Sequence, residues 1–97
     1  MAFRVQVNLE AEEDLIEIWE DVAIYNGVAA DRSVKLLGEK IDSLADMPDR
    51  GKMRDDLMAG IRMLVEGKYL IFYRVGKTQV EILRVIHGSR DLSQIFN

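Results

Sequence analysis

The sequence predicts an α+β domain in the order strand, helix, helix, strand, strand, strand. The two helices should form a hairpin on one face of a mostly antiparallel sheet. Three features predict this. Residues 60–91 hold three apolar runs, each cut from the next by a glycine-containing break. Residues 9–47 hold two amphipathic stretches joined at Asn26-Gly27. Ahead of both, Phe3, Val5 and Val7 alternate with Arg4 and Gln6. Short runs with glycine in each break mark consecutive antiparallel hairpins. Apolar residues at 3-4 spacing mark a helix with one buried face, and strict alternation marks a half-buried strand.

Phe3 to Val7 is the first strand, and it joins the sheet. Asn8 is expected to cap the first helix. Glu10, Glu12, Glu13 and Asp14 follow where the positive end of a helix dipole favours negative charge. At about 100° per residue, Ala11, Leu15, Ile18, Val22 and Tyr25 share a face, with Trp19 on its shoulder. This helix is expected to reach Asn26, with Gly27 in the left-handed conformation that often ends helices. The second helix should run from about Val28 to Pro48, burying Ala30, Val34, Leu37, Ile41 and Leu44. Gly38 lies beside that face and suggests close helix contact. Ile24 and Leu36 fall off both stripes and are candidates for a partner surface. Residues 48–60 read as a polar, irregular connection.

The meander follows, as Ile61 to Val65, Tyr69 to Val75 and Val80 to Ile86. The middle run is apolar on both alternating faces: Tyr69, Ile71, Tyr73 and Val75 against Leu70 and Phe72. A central strand covered on one face and partly covered on the other reads this way. Leu92, Ile95 and Phe96 suit a last helical turn that docks back onto the body.

Ninety-seven residues suit a single domain over 1–97 with a modest core. The chain is 48% hydrophobic and 31% charged, within the range of ordinary globular proteins. It has no cysteine, which excludes disulfides and thiol chemistry. No apolar run approaches the roughly 20 residues of a membrane helix, and the N-terminus lacks a signal-peptide layout. A cytoplasmic protein is the expectation. Charge is divided along the chain. Residues 9–47 carry eleven acidic and three basic side chains, a net of −8. Residues 50–97 carry five acidic and nine basic, a net of +4. The helices are therefore acidic and the sheet basic. Either these are solvated faces of opposite sign, or the basic half meets an acidic partner.

No glycine-rich phosphate loop, zinc-protease motif or nucleophile elbow occurs. No metal site or cofactor is expected. The single histidine, His87, ends the last strand, where functional side chains are commonly displayed. Arg84 is ambiguous. If Ile82 and Ile86 face the helices, Arg84 is partly buried and needs an acidic partner. Otherwise a bulge or twist turns it out.

The segments Gly60-Ile61-Arg62, Tyr69-Leu70-Ile71-Phe72-Tyr73-Arg74 and Ile82 to Asp91 resemble the RelE/ParE superfamily of bacterial toxin–antitoxin toxins. The likeness extends upstream through Ala45 to Pro48 and Gly51 to Leu57, and is strongest to the ParE branch. It implies a toxin that inhibits DNA gyrase and is neutralised by a ParD-type antitoxin, with no membrane association and no sequence-specific nucleic-acid binding. The alternatives are a ribosome-dependent mRNA endonuclease of RelE type, or an inactive member that only binds its antitoxin. For a ribonuclease the matching residues are Arg62, His87 and Arg90. A guanidinium such as that of Arg62 can hold two phosphate oxygens and balance growing charge. Equally, Arg62 could form a surface ion pair with Glu66 or Asp91. Many nuclease relatives use a tyrosine in the C-terminal segment, and none occurs here after Tyr73. Candidates for target contact are Arg62, Arg74, His87 and Arg90. Candidates for antitoxin contact are Ile24, Leu36, Tyr69 and Phe72.

Overall fold

The computed structural model describes residues 2–96. Strand β1 (Arg4–Val7) leads into helices α1 (Leu9–Ala23) and α2 (Gly27–Asp42), and a 3-10 turn follows over Ser43–Ala45. Then come β2 (Lys52–Met53), β3 (Ile61–Glu66), β4 (Tyr69–Val75), β5 (Gln79–His87) and the single-turn helix α3 (Leu92–Ile95). The five strands form one sheet in the order β1-β5-β4-β3-β2. All neighbours are antiparallel except β1 and β5, which pair parallel from Arg4↔Gln79 to Val7↔Ile82. The β3–β4 hairpin turns at Gly67, whose φ of 59° lies in the left-handed region that glycine enters without strain.

Both helices cover one face of the sheet. Ala11, Ile18, Leu37, Ile41 and Leu44 pack there against Ile71, Tyr73, Val80, Ile82 and Val85. On the opposite face a smaller core of Ile61, Phe72 and Ile86 lies under Leu92, Ile95 and Phe96. The alternation along Tyr69–Val75 thus sorts the central strand between two cores, and the C-terminal turn docks as its apolar residues require.

The helix junction differs from expectation. Helix α1 stops at Ala23, so Tyr25 has no helical face to join and is 89% exposed. Asn26 does not end α1. Its side-chain oxygen accepts from the backbone N–H groups of Val28 and Ala29, at 3.0 and 3.1 Å, and caps α2. Gly27 is the first residue of α2 and its φ is not positive. At the other cap, the Asn8 side chain makes no capping bond. Its N–H still donates to the Ile82 carbonyl at 3.0 Å, as the last rung of the β1–β5 ladder. The 48–60 connection also holds more structure than expected, because Lys52 and Met53 pair with Met63 and Arg62 as an edge strand.

Gly38 brings no helix close. A Cβ built there meets nothing within 4 Å. Gly38→Ala should therefore raise stability by about 0.5–1 kcal/mol through helix propensity and a less flexible unfolded chain. Denaturant melts check this directly. An unchanged or lower midpoint would contradict the open space seen around the residue.

Candidate functional site

The basic and titratable residues proposed for chemistry lie at two ends of the sheet. Arg62 stands near the start of β3, opposite Tyr73 on β4. Its guanidinium donates to the carbonyls of Gly51 at 2.8 Å and Asp49 at 3.2 Å, and lies 3.5 Å from the Asp49 carboxylate. The anticipated partners Glu66 and Asp91 are not used. Arg62 instead clamps the loop before β2. Tyr73 completes the clamp. Its hydroxyl accepts from the Gly51 N–H and donates to the Pro48 carbonyl, both at 2.8 Å. Burial pushes the Tyr73 pKa above that of an ordinary phenol, so the hydroxyl stays protonated and able to donate.

His87 sits at the far end of β5, in one row with Tyr69 of β4 and Glu66 of β3. Its Nδ1 accepts from the Ser89 N–H at 3.0 Å, which leaves the proton of the neutral ring on Nε2. The ring meets Tyr69 edge-on, with centroids 5.6 Å apart. Arg90 is exposed nearby and forms no ion pair with the described residues. Four residues along the strand and two strands across separate Arg62 from His87, roughly 15 Å at ordinary sheet spacings. The two side chains do not converge: Arg62 is turned onto the 49–51 loop and His87 onto Ser89 and Tyr69. Arg74 lies at the Arg62 end, opposite Ile61 of β3, and is paired with Glu81 at 2.8 Å.

The candidates for partner contact also divide. Ile24 is 76% exposed at the hairpin tip, and Leu36 is 43% exposed on α2. Tyr69 is half-buried and lines the clefts beside both helices. Phe72 has to be withdrawn as a contact residue. It is fully buried, and the Phe96 ring packs against it with centroids 4.6 Å apart. Its alternating position on β4 aims it into the second core rather than toward solvent.

Arg84 is turned by a bulge and paired with an acid, although Ile82 and Ile86 do not both face the helices as the first option required. The β4–β5 register shifts between Phe72↔Arg84 and Tyr73↔Ile82, leaving Leu83 as an extra residue. Ile82 and Val85 then both face the helices, while Leu83 and Ile86 face the second core. The bulge sends Arg84 to the sheet edge, where Asp14 of α1 receives its Nε at 2.8 Å and an Nη at 2.9 Å. This bond pushes the already high Arg84 pKa higher still. Asp14 also accepts the Val85 N–H at 2.9 Å. Strand β1 ends opposite Ile82, so Asp14 supplies the edge acceptor that a longer β1 would have offered. A signal for it exists in the sequence. Asp14 shares the spacing of Ala11 and Ile18, an acid on the buried stripe.

Among the described residues no group of three or more His, Cys, Asp or Glu side chains is placed to hold a metal ion. Among the described residues no helix is long and apolar enough to cross a membrane.

A helical hairpin on one face of a mostly antiparallel sheet is also the fold of toxins in toxin–antitoxin complexes. The chain is similar to the chromosomal ParDE toxin–antitoxin system of P. aeruginosa, with a TM-score of 0.77 over 89% of this chain and 96% of that one. At 21% identity that likeness bears on the fold alone. It is also similar to the RelBE2 toxin–antitoxin complex of Mycobacterium tuberculosis, with a TM-score of 0.70, 27% identity and coverage of 90% and 99%. The family model described as the ParE toxin of the type II toxin–antitoxin system parDE matches residues 5–92. Toxin ParE1 of Caulobacter vibrioides is 37% identical over 86 residues, 87% of this chain and 88% of the relative. The chain belongs to the ParE toxin family.

Proposed function

We propose that this protein arrests growth by inhibiting DNA gyrase, with no bond-making chemistry of its own, and that a ParD-type antitoxin neutralises it in the cytoplasm. The separation of Arg62 from His87 and Arg90 carries this reading. Arg62 spends its donors on the carbonyls of Asp49 and Gly51. A ribonuclease would need those donors on the phosphate, within reach of an acid or base. Membership of the ParE family supports the same choice. A second reading, ribosome-dependent mRNA cleavage, draws support from the likeness to RelBE2 and from the exposed His87–Arg90 end. Both readings involve an antitoxin and neither needs a cofactor.

Controlled expression tests the proposal in cells, alone and with the protein encoded beside this chain. The expected result is growth arrest with a DNA-damage response and intact mRNA, relieved by the second protein. Rapid mRNA loss would favour the ribonuclease. Growth unaffected at good expression would leave an inert member that only binds its antitoxin.

A further inference from the structure

We infer that Ser89 is a nucleophile, activated by His87, that takes up the acyl group of a small uncharged activated ester. This goes beyond inhibition of gyrase, which needs no bond made by this chain. The Ser89 hydroxyl lies 2.8 Å from His87 Nδ1. That nitrogen also accepts the Ser89 N–H at 3.0 Å, so it carries no proton and the hydroxyl is the donor. A serine hydroxyl held within hydrogen-bond reach of a basic nitrogen is the arrangement from which serine attack starts. The fold makes the pairing. The Gly88 N–H donates to the Lys68 carbonyl at 2.8 Å and the Arg90 N–H to the His87 carbonyl at 3.0 Å, which closes a turn at the end of β5. His87, Ser89 and Arg90 are all exposed, so a reagent can reach them.

The surroundings match the charges that attack creates. His87 and Arg90 line a cleft of about 150 Å³ together with Glu17 and Asp21 of α1. As Ser89 Oγ bonds to the ester carbonyl carbon, its proton passes to Nδ1 and the carbonyl oxygen becomes an oxyanion. The two carboxylates of the cleft stabilise the imidazolium. Arg90, which forms no ion pair with the described residues, stabilises the oxyanion. The Ser89 N–H joins it, because protonated Nδ1 no longer accepts. The carbonyl then re-forms, the bond to the leaving oxygen breaks, and that oxygen takes the proton from Nδ1. The products are O-acyl-Ser89 and an alcohol or phenol. The cleft sets the class of donor. Carboxylates and an arginine together favour neither sign of charge, and Ile18 and Tyr69 in its lining suit a short apolar acyl group.

The test adds p-nitrophenyl acetate to the full chain and follows acetylation of each serine by peptide mass spectrometry. Ser93 is the built-in comparison. It is also exposed, but its hydroxyl donates at 2.7 Å to the Asp91 carboxylate, and a carboxylate is a far weaker base than imidazole. Ser89 is expected to be acetylated about 100-fold faster than Ser93, the lower end of what a positioned general base contributes. His87→Gln should remove that advantage, with thermal melts to verify that the variant is folded. The Ser89 rate should also rise with pH as imidazole loses its proton, and the chain has only one histidine to account for that rise. The comparison with Ser93 and the pH profile need no variant. Acetylation of Ser89 no faster than that of Ser93 overturns the inference. So does an unchanged Ser89 rate in folded His87→Gln, or a Ser89 rate that ignores pH. The reaction uses this chain alone, so its failure leaves the gyrase and antitoxin reading standing.

Discussion

Asp14→Ala is expected to destabilise the domain by about 2–3 kcal/mol, a large share of what a domain this size possesses. Three bonds end on that one carboxylate, two from Arg84 and one from the Val85 N–H. Removing it leaves a half-buried guanidinium without its main counter-charge and a strand-edge N–H without an acceptor. Glu10 lies 3.8 Å from Arg84 but is largely exposed, so it compensates little. The melting temperature should fall by roughly 10–20 °C. Glu10→Ala should change stability by less than about 0.5 kcal/mol. Arg84→Met keeps the aliphatic length and removes the charge, and after it Asp14→Ala should cost about 1 kcal/mol less than in the wild type. If Asp14→Ala behaved like Glu10→Ala, the bulge would not depend on this pairing.

Gly51→Ala is expected to cost about 1–3 kcal/mol by forcing a well-packed side chain aside. A Cβ at residue 51 would lie 2.5 Å from the Tyr73 hydroxyl oxygen and 2.7 Å from a ring carbon. Tyr73 is fully buried, and its hydroxyl is held by the Gly51 N–H and the Pro48 carbonyl. The ring must move or the loop must lift, and either breaks those bonds. Tyr73→Phe alone should cost about 1–2 kcal/mol by orphaning the same groups. The two substitutions together should cost less than their sum, because each removes what the other disturbs. Strict additivity in urea melts would mean that the loop is not fastened through Tyr73.

The central architecture could be read from the residues because its signals are local and repeated. Alternation along Tyr69–Val75 sends Ile71 and Tyr73 to one core and Phe72 to the other. The 3-4 spacing of Ala30, Leu37 and Ile41 buries one side of α2. What could not be read depends on contacts between distant segments. Asp14 and Arg84 are 70 residues apart, and the bulge that joins them rests on one extra residue in β5. The ladder sets Arg62 four rows from the row that holds Glu66, Tyr69 and His87, so side chains that follow a family pattern in sequence need not converge. Asn26 caps α2 instead of ending α1 for a different reason. An Asn-Gly pair can stop a helix or start one, and which it does depends on where the preceding apolar stripe loses its partner.

The claim that this chain acts by binding gyrase rather than by cutting RNA is tested most directly with purified components. The toxin is added to a gyrase supercoiling reaction and, separately, to ribosomes translating a labelled mRNA. The expected result is lost supercoiling or trapped cleaved DNA, with the mRNA intact. Codon-positioned mRNA cuts that vanish in Arg62→Ala or His87→Ala, with gyrase untouched, would contradict it.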